Sequence, residues 1–313
     1  ARVWWVRPSI RYLKNYLRKH PVDAVISTGP PHSMHLIAMA IKRATGLPWI
    51  ADFRDPWTGI DFYGQLALSR RADRKHHRSE HEVLTTADRV VTVSWSWAKD
   101  LETLGAKHVE VITNGFDRAD VPHVHSSVDD RYSLVHIGSM SATRDLPGLW
   151  KALATLVQRD PVFNERFVLR FVGPVDHSVV ESATAAGLGK HIERLGRVDH
   201  ATAMREMQRA RVLLLPINDT PNSAGILPGK LYEYLAVGRP ILAVGPSDGD
   251  VARVLGQAHL LLPRTPGPAH EGPIRALFDL AAPVAGAAID RYDRNALAGS
   301  MAALLHDATA ARG

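Results

Sequence analysis

Cysteine is absent from the 313 residues, which excludes disulfide frameworks, thiolate metal sites and cysteine nucleophiles. A chain of this kind suits a reducing compartment. Missing too is any uninterrupted apolar run near the roughly 20 residues that a membrane-spanning helix needs. The opening residues Ala1-Arg2-Val3-Trp4-Trp5 lack the basic flank, apolar stretch and small-residue site of a secretory leader. They also lack an initiating Met, from which a fragment or a processed product is expected. No zinc-finger spacing, aromatic RNA-binding motif or long basic heptad helix occurs, so a nucleic-acid partner is not expected. Internal repeats and low-complexity tracts are lacking as well. What remains is 45% hydrophobic and 22% charged, ample for packed cores, over a length that allows roughly two domains of about 150 residues.

Charge is uneven. Residues 1–125 hold 18 Lys+Arg against 13 Asp+Glu, whereas the other 188 hold 20 against 19. The excess is concentrated in Arg11–Lys19 and Arg70–Arg78. Such a surface attracts phosphates or anionic lipid headgroups, and it equally fits a solvated helical face.

Short apolar, β-branched runs alternate with helical patterns almost from end to end. Strands are expected at Asp23–Ser27, Trp49–Phe53, Arg89–Ser94 and Val109–Thr113, then at Ser133–Ile137, Phe167–Val172, Ile192–Leu195, Val212–Ile217, Pro240–Val244 and His259–Leu262. Ser33–Thr45 and Leu146–Arg159 carry apolar residues three and four apart, and Ser9–His20 and Ala296–Leu305 also read as helices. Uniformly apolar strands separated by helices imply parallel sheets covered on both faces. The expectation is an α/β protein of two doubly wound, Rossmann-like domains facing a cleft. The aperiodic Asp117–Arg131 stretch joins 1–124 to 125–291, and a C-terminal helix at about 292–313 is a candidate to pack back on the first domain.

The most informative segment is Gly225–Ala243. Pro228 and Gly229 precede a helical pattern from Lys230 to about Val237, and Gly238 supplies a left-handed helix end. Free N–H groups at that helix start, with Lys230 beside them, suit a diphosphate. Glu233 shares a face with Lys230, within reach of a ribose. The alternative is an exposed ion pair on an ordinary helix.

This segment resembles the C-terminal signature of nucleotide-sugar-dependent, family-four-type retaining glycosyltransferases with the GT-B fold. Other stretches follow in that family's order: Asn114-Gly115-Phe116-Asp117, Val135-His-Ile-Gly138, Phe171-Val-Gly-Pro174, Leu195-Gly196 and Leu214-Leu-Pro216. By the resemblance, Glu233 is the second glutamate of an E-x7-E motif and binds the donor ribose. Gly225 stands where the first glutamate belongs, leaving backbone groups of Ser223–Leu227 to substitute. The glycine turn Gly138-Ser139-Met140-Ser141-Ala142-Thr143-Arg144 puts Arg144 at the family's lysine position and Ser139 at its arginine. Arg144 and Lys230 then hold the diphosphate, Gly138, Ser139, Leu227 and Gly229 line the donor, and the loops carrying Gly173 and Arg197 flank the base. The family's first βα units have no counterpart, so the N-terminal domain reads as incomplete: only four strands, entered through a mid-domain strand ahead of the basic helix.

On the acceptor side, Ser27-Thr-Gly-Pro-Pro-His32-Ser33 links a strand to a helix. His32 either meets a donor or acceptor hydroxyl or merely caps the helix. Ile50–Trp57 sits where the family faces its acceptor; Asp52, Arg54 and Asp55 end a buried strand, and Asp55 is the candidate to orient the acceptor hydroxyl, against a simple salt bridge with Arg54. His76, His77, Glu80 and His81 invite a metal reading, but no Glu lies inside the His77/His81 pair and the flanks are basic. Ser94 lacks a hydrolase elbow. Trp95 and Trp97, two apart at a strand end, are placed to face one way, and core packing explains them equally well.

The resemblance implies sugar transfer with retention from a nucleoside-diphosphate sugar to a glycan or lipid-linked sugar. No metal or other cofactor is then required; a cytoplasmic location is expected, and the basic first part suits an acceptor presented at the inner membrane face. The alternatives are a nucleotide-sugar epimerase of the same fold and a catalytically silent nucleotide-binding module.

Overall fold

The computed structural model describes residues 4–121, 127–256, 259–280 and 289–310. Two compact units emerge: Ala1–Thr113 with Asn295–Gly313, and Asn114–Arg294. The expected 124/125 boundary lies outside the described residues. Ahead of it, residues 117–121 of the stretch read as an aperiodic linker belong to the second unit. Phe116 pairs with Asp293, and the Arg118 guanidinium binds the carboxylates of Asp290 and Asp293.

In the first unit the order is α1 (Val6–Lys19), β1 (Val25–Gly29), α2 (Ser33–Thr45), β2 (Trp49–Phe53), α3 (Arg70–Thr86), β3 (Arg89–Thr92), α4 (Trp95–Thr103) and β4 (Val109–Val111). Among the described residues no strand precedes the basic helix. Trp4 and Trp5 form a turn and the helix starts at Val6, with Pro8 in its first turn where a missing N–H costs nothing. The four strands are parallel and lie in chain order. Trp49, Ala51, Phe53 and Val90 pack on one face with Ala38 and Met39 of α2, Val83 and Leu84 of α3 and Leu101 of α4. Ile50 and Val91 point the other way, as the two-residue period of a strand requires. That face is covered by Leu304 and Ala308 from the C-terminal helix, labelled α12 below.

The second unit runs β5 (Tyr132–Ile137), α5 (Pro147–Arg159), α6 (Pro161–Arg166), β6 (Phe167–Val172), α7 (His177–Ala183), β7 (Ile192–Gly196), α8 (His200–Arg209), β8 (Val212–Pro216), α9 (Gly229–Val237), β9 (Ile241–Val244), α10 (Asp250–Leu255), β10 (Leu260–Leu262) and α11 (Glu271–Asp279); α12 (Arg294–Ala310) then carries the chain into the first unit. Its six parallel strands are ordered β10-β9-β8-β5-β6-β7. The chain winds outward from β5 to β7, then returns and winds the other way from β8 to β10. Between β5 and β8 the direction reverses, and at the carboxyl ends of those two strands a doubly wound sheet opens a ligand crevice.

Trp95 and Trp97 correct the sequence reading. Both lie in α4, where positions two apart point to nearly opposite sides; Trp97 is buried and Trp95 half-buried. Ser94 is the helix cap, its hydroxyl accepting from the Trp97 N–H at 3.3 Å.

Because Leu304 and Ala308 of α12 pack on Ile50 and Val91, Leu304→Ala is expected to cost about 2–4 kcal/mol in urea unfolding. An unchanged midpoint would show that the face is not a packed core.

Candidate functional site

The switch point is built around a glycine turn. Gly138 adopts φ +95°, a region open to glycine and costly for residues with a Cβ, and it follows β5 directly. Gly173, at the end of β6, is pressed against it: a Cβ there would lie 2.6 Å from the Gly138 carbonyl oxygen. The Gly138 N–H donates to Val172 O at 2.7 Å, and the Met140 N–H to Pro174 O at 2.9 Å. The two turns are therefore laced together, and Gly196 of β7 bridges to Gly173 from the other side.

Lys230 reaches back from the first turn of α9 to this turn. Its Nζ donates to Ile137 O at 2.6 Å and lies 3.4 Å from His136 Nε2. An ideal Cβ on Gly138 would sit 3.1 Å from the ammonium, so the glycine also makes room for the cation. Arg144 approaches the same turn from its far side: Nη1 donates to Ser139 O at 3.0 Å, and Nε to Asn218 Oδ1 at 2.6 Å. Two cations thus converge on Ile137–Ser139. The start of α9 adds the positive end of a nine-residue helix with no side-chain cap on its Pro228 N-cap. Burial, and after it the Arg144 charge, lower the Lys230 pKa to about 8. No Lys230–Glu233 salt bridge occurs among the described residues, so the ordinary helical ion pair is not what this lysine makes. Glu233 is half-buried one turn further along, and burial raises its pKa.

His136, Asn218 and Tyr234 belong to this site and escaped the sequence reading. His136 is wholly buried in β5, and burial followed by the Lys230 charge lowers its pKa to about 3. As a neutral ring protonated on Nδ1 it donates to Leu214 O, at 3.2 Å, and its Nε2 accepts from Lys230. The Tyr234 hydroxyl accepts the Ile137 N–H at 3.0 Å. The available signal was a histidine inside an otherwise apolar strand, Leu134–Ile137, where a polar ring needs partners.

The remaining donor-side candidates are less uniform. Ser139 is exposed and contributes its carbonyl; Gly229 is exposed at the helix start. The Leu227 side chain is buried in the core, and Arg197 is exposed in the bend after β7. The backbone groups of Ser223–Leu227, expected to substitute for the missing glutamate, are partly engaged within their own loop. The N–H groups of Ser223, Gly225 and Ile226 already donate within the loop, to Thr220, Asn222 and Ser223.

In the first unit, at the carboxyl edge of its sheet, His32 and Asp55 do meet. His32 Nε2 is 2.9 Å from the Asp55 carbonyl oxygen, and the ring stacks on Trp57 at 5.2 Å. The imidazole makes no side-chain cap on α2. Burial lowers the His32 pKa and raises those of Asp52 and Asp55; Asp52 accepts from Thr28 Oγ1 at 2.9 Å. The histidines of α3 diverge. His76 takes the Trp57 indole N–H, His81 meets Leu104 O, and Glu80 is held by Thr58. Among the described residues no three metal-ligating side chains gather.

Sequence families match these same two halves. A Glycosyl transferase 4-like domain covers residues 1–115, and Glycosyl transferases group 1 covers residues 131–271. The chain is a family-4-type glycosyltransferase. Its fold is similar to the sucrose-phosphate synthase of Thermosynechococcus elongatus, with a TM-score of 0.67 at 15% identity over 96% of this chain and 77% of that one. It is similar also to HepE of Anabaena, solved in complex with UDP, at 0.66 and 15% over 96% and 82%. A Rickettsia africae glycosyltransferase follows at 0.65 and 16% over 97% and 81%. No curated protein matches the chain. The fold of this glycosyltransferase is GT-B, with two Rossmann-like parallel-sheet units. Among its described residues no helix is long and apolar enough to cross a membrane.

The buried ammonium has a stability cost with a definite pH signature. Lys230 titrates near 8 when folded and near its ordinary 10.5 when unfolded, so between those values the unfolded chain holds the extra proton and stability rises with pH. Below pH 8 the full cost is present. Lys230→Met is therefore expected to be more stable than wild type at pH 7, by about 1–2 kcal/mol once the lost bond to Ile137 O is offset, an advantage that shrinks and then reverses as wild type regains about 3 kcal/mol between pH 8 and 10.5. Thermal melts across that range decide it; a variant less stable at pH 7, by the same margin at every pH, would contradict the burial argument.

Proposed function

We propose that the chain transfers a sugar, with retention, from a nucleoside-diphosphate sugar to a glycan or lipid-linked sugar acceptor in cell-envelope or polysaccharide synthesis. The observation that carries this reading is the convergence of Lys230, Arg144 and the uncapped start of α9 on the Gly138 turn. As the C1–O bond of the donor breaks, negative charge grows on the departing diphosphate. A bidentate guanidinium, a point-charge ammonium and a helix dipole stabilise that charge from positions fixed in advance. With those cations in place the reaction requires no divalent metal. Glu233 holds the ribose, and Gly173 and Arg197 flank the base. The acceptor oxygen bonds to C1 on the face the diphosphate leaves. Its proton goes to a leaving phosphate oxygen, while Asp55 and His32 orient the hydroxyl. HepE in its complex with UDP, and Staphylococcus aureus TarM in a complex with UDP and alpha-GlcNAc-glycerol, support a nucleotide donor and a glycan-type acceptor.

The test is thermal unfolding with UDP, GDP and dTDP. At a hundred times its dissociation constant the right nucleotide adds about 2.7 kcal/mol. Lys230→Ala and Arg144→Met are each expected to weaken it by about tenfold or more. Because the protonated lysine is the binding form, affinity should hold below pH 8 and decline above it. An acceptor should then accelerate release of the free nucleoside diphosphate, with the product anomer, read by NMR, matching the donor's. Interconversion of the sugar without release would favour the epimerase, and no shift with any nucleotide would sink the donor site.

The cytoplasmic location at the inner membrane face rests on α1. Arg7, Arg11, Lys14, Arg18 and Lys19 lie on it with no acidic residue, and Tyr12 and the adjoining Trp4 are 66% and 90% exposed. Cations beside exposed aromatics suit anionic headgroups. Vesicles containing phosphatidylglycerol should bind the protein in a salt-sensitive manner, and Arg11→Gln with Lys14→Gln should weaken binding about thirtyfold at about 1 kcal/mol per charge. Equal binding to neutral vesicles would contradict this.

A further inference from the structure

Arg144 is offered to a ligand by a loop, and loops are poor at holding a cation in place. What steadies this one comes from the segment that follows the outermost strand, β10. Arg264 stands two residues after β10, three strands away from β5. Its side chain donates to three main-chain carbonyls: Nη1 to Asp145 O at 3.1 Å, Nη2 to Thr143 O at 3.4 Å and Nη2 to Ile217 O at 2.5 Å. Nε lies 3.4 Å from Asp219 Oδ1. Thr143 and Asp145 flank Arg144 in the chain, while Ile217 and Asp219 flank Asn218, the partner of the Arg144 Nε. One guanidinium therefore staples the two loops that fix the Arg144 side chain, which are also joined by the Asp219 N–H to Thr143 O at 3.2 Å.

The anchor is firm at its other end. Gly148, in the first turn of α5, lies so close to the Arg264 main chain that a Cβ would stand 2.3 Å from the Arg264 carbonyl oxygen, with Thr265 and Pro266 at 3.0 Å. Backbone pressed on α5 and a planar fork that reaches several carbonyls at once make this position unsuited to lysine, whose single ammonium cannot span both loops.

We propose that Arg264 is a positioning residue: it sets the Arg144 guanidinium against the donor diphosphate without touching the donor. This rests on the reading of Arg144 as a diphosphate cation. A double-mutant cycle tests it, using calorimetric titration of whichever of UDP, GDP and dTDP binds wild type. Arg264→Met should weaken binding about tenfold when Arg144 is present and less than about twofold in an Arg144→Met background, because its effect passes through that side chain. Arg264→Lys should fall between wild type and Met; if the Met variant does not fold, the Lys variant carries the same cycle with a smaller ratio. Equal losses in both backgrounds would mark Arg264 as general scaffolding and overturn the proposal. So would full affinity in Arg264→Met while Arg144→Met remains weak, which leaves the donor reading standing. Failure of wild type to bind all three nucleotides, or an Arg144→Met variant as tight as wild type, would remove the donor reading and this inference with it.

Discussion

The site at the switch point of the second unit is organised around one contact: an ammonium held out of water against the carbonyl that ends β5. Lys230 keeps its charge there only because Ile137 O and His136 Nε2 replace lost hydration, and because Gly138 turns the chain left-handed with no side chain in the way. Each surrounding feature follows. His136 must stay neutral to accept from the lysine; Tyr234 must hold the Ile137 N–H so that the carbonyl keeps its direction; Gly173 must lack a Cβ so that the second turn can press on the first. A cation kept poised in this way is costly to stability, and sites that stabilise charge in a transition state characteristically accept such costs.

Sheet topology explains why the residues meet although they are distant in the chain. All six strands are parallel, so every strand-to-helix loop opens on one edge, and the reversal between β5 and β8 leaves adjacent loops without a crossover helix between them. Arg144 and Lys230, 86 positions apart in the numbering, become neighbours through that reversal. Arg264 arrives from the outermost strand of the same edge.

Much of this was legible in the residues. The ten strands fall where apolar, β-branched runs place them, and Phe167–Val172 matches to the residue because both of its faces are buried. Lys230 stood out through the Pro-Gly-Lys helix start, and Arg144 through the family resemblance, at the position of that family's lysine. What stayed hidden was of another kind. Asn218 and Arg264 act through main-chain carbonyls and a single side-chain oxygen, and such bonds leave no periodicity in a sequence. The loop after Thr220 spends its N–H groups internally, which only coordinates reveal. Trp95 and Trp97 misled because an apolar strand ran straight into a helix whose cap, Ser94, reads equally well as a strand residue.

The central claim concerns the protonation state and location of one side chain, and NMR of 13C-labelled lysines measures both. Lys230, assigned by the signal lost in Lys230→Arg, should titrate near 8 in the free protein, below a lysine's ordinary 10.5. Saturation with the bound nucleoside diphosphate should drive that pKa upward, because the phosphate stabilises the ammonium. A Lys230 signal titrating near the ordinary 10.5 and indifferent to nucleotide would place the lysine in water, and the anion site built around it would not exist.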